Sequence, residues 1–392
     1  PVFKTGDLDS LAEAELKLAG EVLEYARHAS TGRVHFSRIS NDIGYEQTMP
    51  DAAEVLGRIA NSSNVNQALD SYQPQHPQYK ALKQKLAESR GRANAPAEEV
   101  VKIPEGGKFK LGADDARVPL LRQRLKMAGD QTSTKYDQDV ADAVKKFQQG
   151  AGLNADGVAG PGTLRAMNGV QKRERTTDII VVNMDRWRWM PRDLGKSYVM
   201  LNIPEFRLRL YKDQKLYWDT KVVVGKPSQA TPIMSGAMRF ITVNPTWNVP
   251  PSIIANEYLP KLRRDPSYLD RIGFKVTNAN GKLVSSSSVD WWSYGNRIPY
   301  GIQQPPGRKN ALGELKFLFP NSHNIYMHDT PNRELFANDV RTFSHGCVRV
   351  QNPREFATVL LGWDRAKVDA NTDSKKSQTV RLPVKVPIHI TY

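Results

Sequence analysis

Ser344-His345-Gly346-Cys347-Val348-Arg349-Val350 holds the only cysteine of 392 residues, and Ile325-Tyr326-Met327-His328-Asp329-Thr330 puts a histidine nineteen positions before it. A free thiol with a pKa near 8.5 is only a few per cent thiolate at neutral pH, so a nucleophilic cysteine needs a base or a positive environment. Histidine is the side chain suited to be that base. Gly346 allows a backbone angle closed to other residues, and consecutive N–H groups beside it can face a developing oxyanion. Lone cysteines are more often inert packing residues. The Ser-His-Gly and Arg flanks, in a polar segment, weaken that alternative without removing it.

Around these two runs the chain reads as β structure. From about residue 178, period-two patterns and continuous apolar runs recur between Gly, Pro, Asn and Asp punctuation: Ile179–Val182, Tyr198–Ile203, Arg207–Tyr211, Leu216–Val224, Met238–Val243, Leu315–Phe319, Asn324–Met327 and Val384–Ile390. Two helical pieces are expected within them, at Ser252–Leu262 and Arg354–Leu361. The stretch 263–300, rich in Ser, Asn, Gly and aromatics (Trp291, Trp292, Tyr294, Tyr300), is expected to be a functional flap.

The preceding part is helical. Helical spacing covers 5–30 behind Asp7 and Asp9, then Ala52–Ala60 and Tyr79–Ser89, while 91–113 reads as a connector. Residues 114–168 carry helices at Val118–Met127 and Asp137–Gln149, then Gly152-Leu153, Asp156-Gly157, Gly160 and Thr163-Leu164. This unit resembles the three-helix peptidoglycan-binding module found on many cell-wall enzymes; the alternative is a helical spacer with glycine caps.

Composition narrows the partners. Residues 1–170 carry 22 basic and 22 acidic side chains, whereas 171–392 carry 34 and 19, so the whole net charge of +15 lies in the second part with all seven tryptophans. An anionic partner is expected there: nucleic acid, an acidic membrane surface or a carboxylate-bearing polymer. No nucleic-acid reader motif accompanies the charge. No run of 18 apolar residues occurs. One cysteine excludes an internal disulfide framework, and the histidines lack carboxylates at metal-ligand spacing, so neither metal nor cofactor is expected. The chain begins at Pro1, which suggests a processed or truncated product once preceded by a signal or anchor segment.

The Cys347 run, with His328 upstream, resembles the signature of L,D-transpeptidases with the YkuD-type catalytic domain, in the large multidomain YcbB-like subgroup. Further matching stretches are Val224-Gly225-Lys226, Thr231-Pro232, Asn244-Pro245-Thr246-Trp247-Asn248-Val249-Pro250, Gln304-Pro305-Pro306-Gly307, Asn310-Ala311-Leu312-Gly313 and His328-Asp329-Thr330-Pro331. The resemblance implies a multidomain α+β chain: a helical scaffold at 1–113, a peptidoglycan-binding-like module at 114–170, and a mainly β catalytic domain at 171–392 with a capping insertion at about 246–305. It implies Cys347 as nucleophile and His328 as base, with the amides of His345, Gly346 and Cys347 as oxyanion hole. His345 would shape the site, and Ser344 would support its loop. Trp247 and Tyr326 would line the donor pocket, and Arg349 would pair with a stem carboxylate or with an acidic neighbour such as Asp329.

The implied substrate is a peptidoglycan tetrapeptide stem. Cys347 would attack the carbonyl of its third residue, release D-Ala, and pass the acyl group to a side-chain amine of another stem as a 3→3 cross-link. Carbapenems would acylate the same thiol. Glycan, stem peptides and cell-wall synthesis proteins are the partners this implies, and the periplasm of a Gram-negative envelope the compartment. Two rivals stay open: an L,D-carboxypeptidase using water as acceptor, and a non-catalytic wall-binding scaffold.

Overall fold

The computed structural model describes residues 7–93, 101–168, 171–295 and 297–392. They fall into two compact units, one formed from Pro1–Gln73 with Arg188–Tyr392 and the other from Pro74–Trp187. These cuts differ from boundaries at 113 and 170, and hydrogen bonding shows why the first 73 residues join the β part. The strand Ile43–Gly44 pairs in parallel with Ile233 and Met234, the Tyr45 hydroxyl donates to the Ile390 carbonyl, and Arg192 donates to the carbonyls of Ala29, Ser30 and Tyr72.

The β part closes on itself. Ile233–Val243 is followed around the sheet by Leu315–Leu318, Met327–His328, Val348–Val350, Lys215–Gly225, Arg207–Lys212, Ser197–Asn202 and Gln378–Thr391, and the last pairs back onto Ile233–Val243. Closure leaves no free edge among these eight strands. Alternate residues fill the interior: Val199, Leu201, Leu208, Val222, Val224, Ile241, Phe317, Met327, Val348, Val350 and Ile390 are fully buried. The helix Pro353–Leu361 covers one end, with Phe356 stacked on Trp218 at 5.2 Å and tilted against Phe317 at 4.7 Å. It stops at Gly362 in the left-handed conformation.

One pairing positions the chemistry. Met327–His328 and Val348–Val350 run parallel, with Met327 opposite Val348 and His328 opposite Arg349. Parallel neighbours need a crossover, so the chain from Asp329 to Cys347 must leave and return. It delivers Cys347 beside Tyr326, and the nineteen-residue separation becomes adjacency at one end of two neighbouring strands.

The expected flap is a folded subdomain. Trp247–Asn248, Gly301–Gln304, Lys275–Thr277 and Leu283–Val284 make a second, antiparallel sheet, packed with Leu262, Leu269, Val276 and Trp291 in a core of its own. Trp291 is buried and donates to the Ser286 carbonyl; Trp292 is exposed and donates to the Arg263 carbonyl. Asn310 ties both stems of the insertion to the barrel, its amide donating to the carbonyls of Pro245, Gln304 and Pro305.

In the other unit, helices Val118–Arg124, Gln138–Gly150 and Pro161–Met167 enclose Val118, Leu121, Val140, Val144, Leu164 and Met167. The buried Gln148 amide donates to Asp156, Val158 and Thr163 and accepts from the Gly157 N–H, which explains the Asp-Gly…Thr-Leu run in the sequence. Ile179–Val182, expected as a strand, instead lies within the helix Gln171–Trp189. Four consecutive apolar residues suit either state; here Ile180 and Met184, one turn apart, pack on Tyr79, while Ile179 and Val182 are exposed. Part of the expected connector, 94–100, lies outside the described residues. Among the described residues no helix is long and apolar enough to cross a membrane.

Candidate active site

A cavity of about 260 Å³ is lined by Trp247, Pro250, Ile253, Glu257, Tyr258, Ala311, Leu312, Tyr326, His328, Ser344, His345, Cys347 and Arg349. Every side chain singled out in the sequence for substrate contact or catalysis, apart from glycine, lies on its wall. A second cavity of about 290 Å³ shares Trp247, Tyr258, Ala311 and Arg349 with the first and adds Lys309, Gln304 and Asn332. The barrel supplies the floor and the insertion supplies the roof, through its helical segment Ile254–Tyr258.

His328 is buried, and its Nδ1 bonds the Asp329 carbonyl at 2.5 Å. A carbonyl only accepts, so the proton sits on Nδ1, and Nε2 keeps its lone pair. Burial lowers the imidazole pKa to about 3, helped by the positive charges of Arg349 and Lys316. His328 is therefore a neutral base at ordinary pH. The Asp329 carboxylate does not orient it: that group accepts from the N–H groups of Glu314 and Thr330 and from Arg333. Its close fit depends on Gly313, where φ is +58° and a Cβ would collide with the Asp329 side chain.

Cys347 is partly buried, and burial pushes its thiol pKa up; hydrogen bonds from the Tyr326 N–H and hydroxyl, with the charges of Lys316 and Arg349, pull the other way. Trp247 lowers the Tyr326 hydroxyl pKa against the effect of burial.

The loop carrying Cys347 is held from below. Thr231 donates to the Gly346 carbonyl at 2.8 Å and accepts from the Gly225 N–H at 2.9 Å. Carbonyl and N–H point oppositely across a planar peptide, so Thr231 sets the direction of the Cys347 N–H. Gly346 adopts φ +106°, open in practice only to glycine. Ser344 donates to the Cys347 carbonyl and accepts from the Gly346 N–H at 3.2 Å. The Gly346 amide, expected to face an oxyanion, thus meets the Ser344 hydroxyl in this structure.

His345 turns its ring away toward the roof, where Nε2 meets Glu257 Oε1 at 2.6 Å. Arg349 lies opposite His328 across the strand pair and borders both cavities, and its buried Nε has no protein partner among the described residues. Asp329, the acidic neighbour considered for it, is instead paired with Arg333. Sequence reading missed Lys316, Glu257, Asn310 and the role of Thr231. For Lys316 a signal existed: a lysine between Leu315 and Phe317 in a strand whose other face is core. His389, also buried, bonds Ser235 and the Leu194 carbonyl and plays a structural part.

Comparison with known proteins follows the same outline. Residues 196–386 match the family model of the L,D-transpeptidase catalytic domain, YkuD; residues 3–86 match that of a scaffold domain; residues 114–167 match one described as "Putative peptidoglycan binding domain". A Haemophilus influenzae protein named "Putative L,D-transpeptidase" is 35% identical over 224 residues, 56% of this chain and 45% of that protein, so the match spans less than half of the relative. Similar solved structures include the catalytic domain of an E. faecium L,D-transpeptidase, at 16% identity over 50% of this chain and 95% of that one, TM-score 0.24. Another is L,D-transpeptidase 3 of Mycobacterium tuberculosis with a faropenem-derived adduct, at 11% identity over 50% and 60%, TM-score 0.25.

Proposed function

We propose that this chain, which carries an L,D-transpeptidase catalytic domain of the YkuD family, forms 3→3 peptidoglycan cross-links through a Cys347 thioester. The observation that carries the reading is the state of His328: a buried neutral imidazole, Nδ1 held by a carbonyl and Nε2 unprotonated, on the wall of the cavity that contains the one cysteine. That arrangement accepts a proton from a thiol and returns it to a leaving amine.

The tetrapeptide stem binds with the carbonyl of its third residue at Cys347. Sulfur attacks as the thiol proton passes to His328, and the oxyanion develops toward the backbone amides around Cys347. The carbon–nitrogen bond to D-Ala breaks, D-Ala leaves with the proton from His328, and the acyl group stays on sulfur. An amine of a second stem then attacks; His328 takes its proton and the thiolate departs. Arg349, which borders both cavities, pairs with a stem carboxylate. The roof of Ile253, Tyr258 and Trp247 limits water, so an amine competes for the thioester. Carbapenems acylate the same sulfur, the small helical module contacts glycan, and the enzyme works in the periplasm.

Incubation with purified disaccharide-tetrapeptide, followed by mass spectrometry of the products, tests this. The expected products are 3→3 dimers and D-Ala, both lost in Cys347→Ala. Tripeptide without dimer makes the enzyme a carboxypeptidase, and cross-linking by Cys347→Ala refutes the mechanism.

A further inference from the structure

We propose that Lys316 is a positioning residue for Cys347, a half-buried ammonium that favours the negative charge forming at the sulfur. The inference rests on the reading of Cys347 as nucleophile. It begins with register. Alternation in Leu315–Leu318 sends Leu315 and Phe317 into the barrel core and Lys316 to the opposite face. Lys316 lies directly opposite His328, and His328 directly opposite Arg349. Residues opposed across paired strands share a face, so the imidazole is flanked by a cation on either side.

The Lys316 ammonium also lies 3.8 Å from the centroid of the Tyr326 ring, the residue whose hydroxyl bonds the Cys347 sulfur. A cation on the ring face makes the phenol a stronger donor to sulfur. Among the described residues no carboxylate comes within the 4.0 Å ion-pair distance of this ammonium. Burial therefore costs the charge, lowering the Lys316 pKa, and its one opposing influence is Cys347 itself. A neutral side chain would pack in this position at lower cost. A cation here serves the negative charge that forms at sulfur.

The remaining charged and titratable groups around Cys347 do not duplicate this. Arg349 faces it from its own strand, His328 is neutral, Glu257 of the roof is engaged by His345, and Tyr258 and Tyr326 stay protonated, their pKa values raised by burial. Lys316 and Arg349 together favour the negative charge that forms at sulfur as its proton passes to His328, and make the resulting imidazolium a ready proton donor to the leaving amine.

The test is the rate of Cys347 alkylation by iodoacetamide across pH in the full chain, where each event forms one carbon–sulfur bond and releases iodide. The wild type should show a single midpoint. Lys316→Met should displace it upward, slowing alkylation at neutral pH about tenfold, with the plateau at high pH unchanged because access is unaltered. Lys316→Arg should restore most of the rate, and Lys316→Gln provides a second neutral variant. A midpoint unmoved in a folded neutral variant, or no restoration by arginine, overturns the assignment. Alkylation needs neither stem nor acceptor. An unmoved midpoint with intact cross-linking refutes Lys316 alone, and a displaced midpoint without cross-linking in the wild type refutes the transpeptidase reading alone.

Discussion

Replacing Thr231 by valine removes one buried hydroxyl and keeps the shape of the side chain. The hydroxyl satisfies two groups at once, accepting from the Gly225 N–H and donating to the Gly346 carbonyl, at a residue only 4% exposed. Valine leaves both unpaired in a site too tight for water to replace them: a Cβ at Gly225 would lie 2.7 Å from the Thr231 nitrogen. Each orphaned buried group costs about 1–3 kcal/mol, so Thr231→Val should lose about 2–6 kcal/mol of stability. At about 2–4 °C per kcal/mol, the Tm falls by at least roughly 4 °C. Turnover falls further, because the Gly346–Cys347 peptide is no longer aimed; removal of one oxyanion donor costs about a hundredfold or more, and misaiming one should cost about ten- to hundredfold in kcat with KM little changed. Urea unfolding and steady-state cross-linking measure the two effects, and Thr231→Ser, which keeps the hydroxyl, should recover most of both. A Thr231→Val protein within about 0.5 kcal/mol of wild type and with unchanged kcat would refute the reasoning.

Other expectations follow from the same geometry. Glu257→Gln removes the charge that His345 meets at the roof; the pair is part-exposed, so stability should change by no more than about 1 kcal/mol, while the tripeptide share of the products rises as water gains access, read by chromatography. Gly346→Ala forces a Cβ onto φ +106°, where the nearest atom, the Ala230 carbonyl oxygen, leaves room at 3.5 Å. The cost is therefore conformational, about 1–2 kcal/mol, and cross-linking should fall much more than Tm. His328 should also make the fold acid-sensitive. Its folded pKa is depressed to about 3 from 6.5, so below 6.5 the unfolded chain binds a proton that the folded one refuses. Stability is then lost as pH falls through that window, by up to about 1.4 kcal/mol per unit. His328→Gln should flatten this part of the Tm–pH curve, and parallel curves for the two proteins would count against a buried neutral imidazole.

Local pattern made much of this legible. Period-two runs identified most barrel strands, and the cysteine run pointed to residues that line one cavity. Pairing partners were not legible, because alternation reports which face a residue occupies and not what lies opposite. The closure of Gln378–Thr391 on Ile233–Val243 and the parallel strand donated by Ile43–Gly44 are long-range choices of that kind. Lys316 acquires its place beside His328 only through strand register. Serine and asparagine disguised 263–300 as a flap, although Leu269, Val276, Val289 and Trp291 give it a core. Short apolar runs are ambiguous, and the helix through Ile179–Val182 was decided by Tyr79, a hundred residues earlier in the sequence.

The central claim is that the acyl group travels on Cys347. Protein mixed with a tetrapeptide stem and no amine acceptor, quenched in acid and digested, should yield the peptide containing Cys347 carrying the stem minus D-Ala, in a linkage released by hydroxylamine. The same adduct should accumulate faster than it hydrolyses and vanish in Cys347→Ala. Dimer formed without any adduct on that peptide, or the acyl group found on another side chain, would contradict the account.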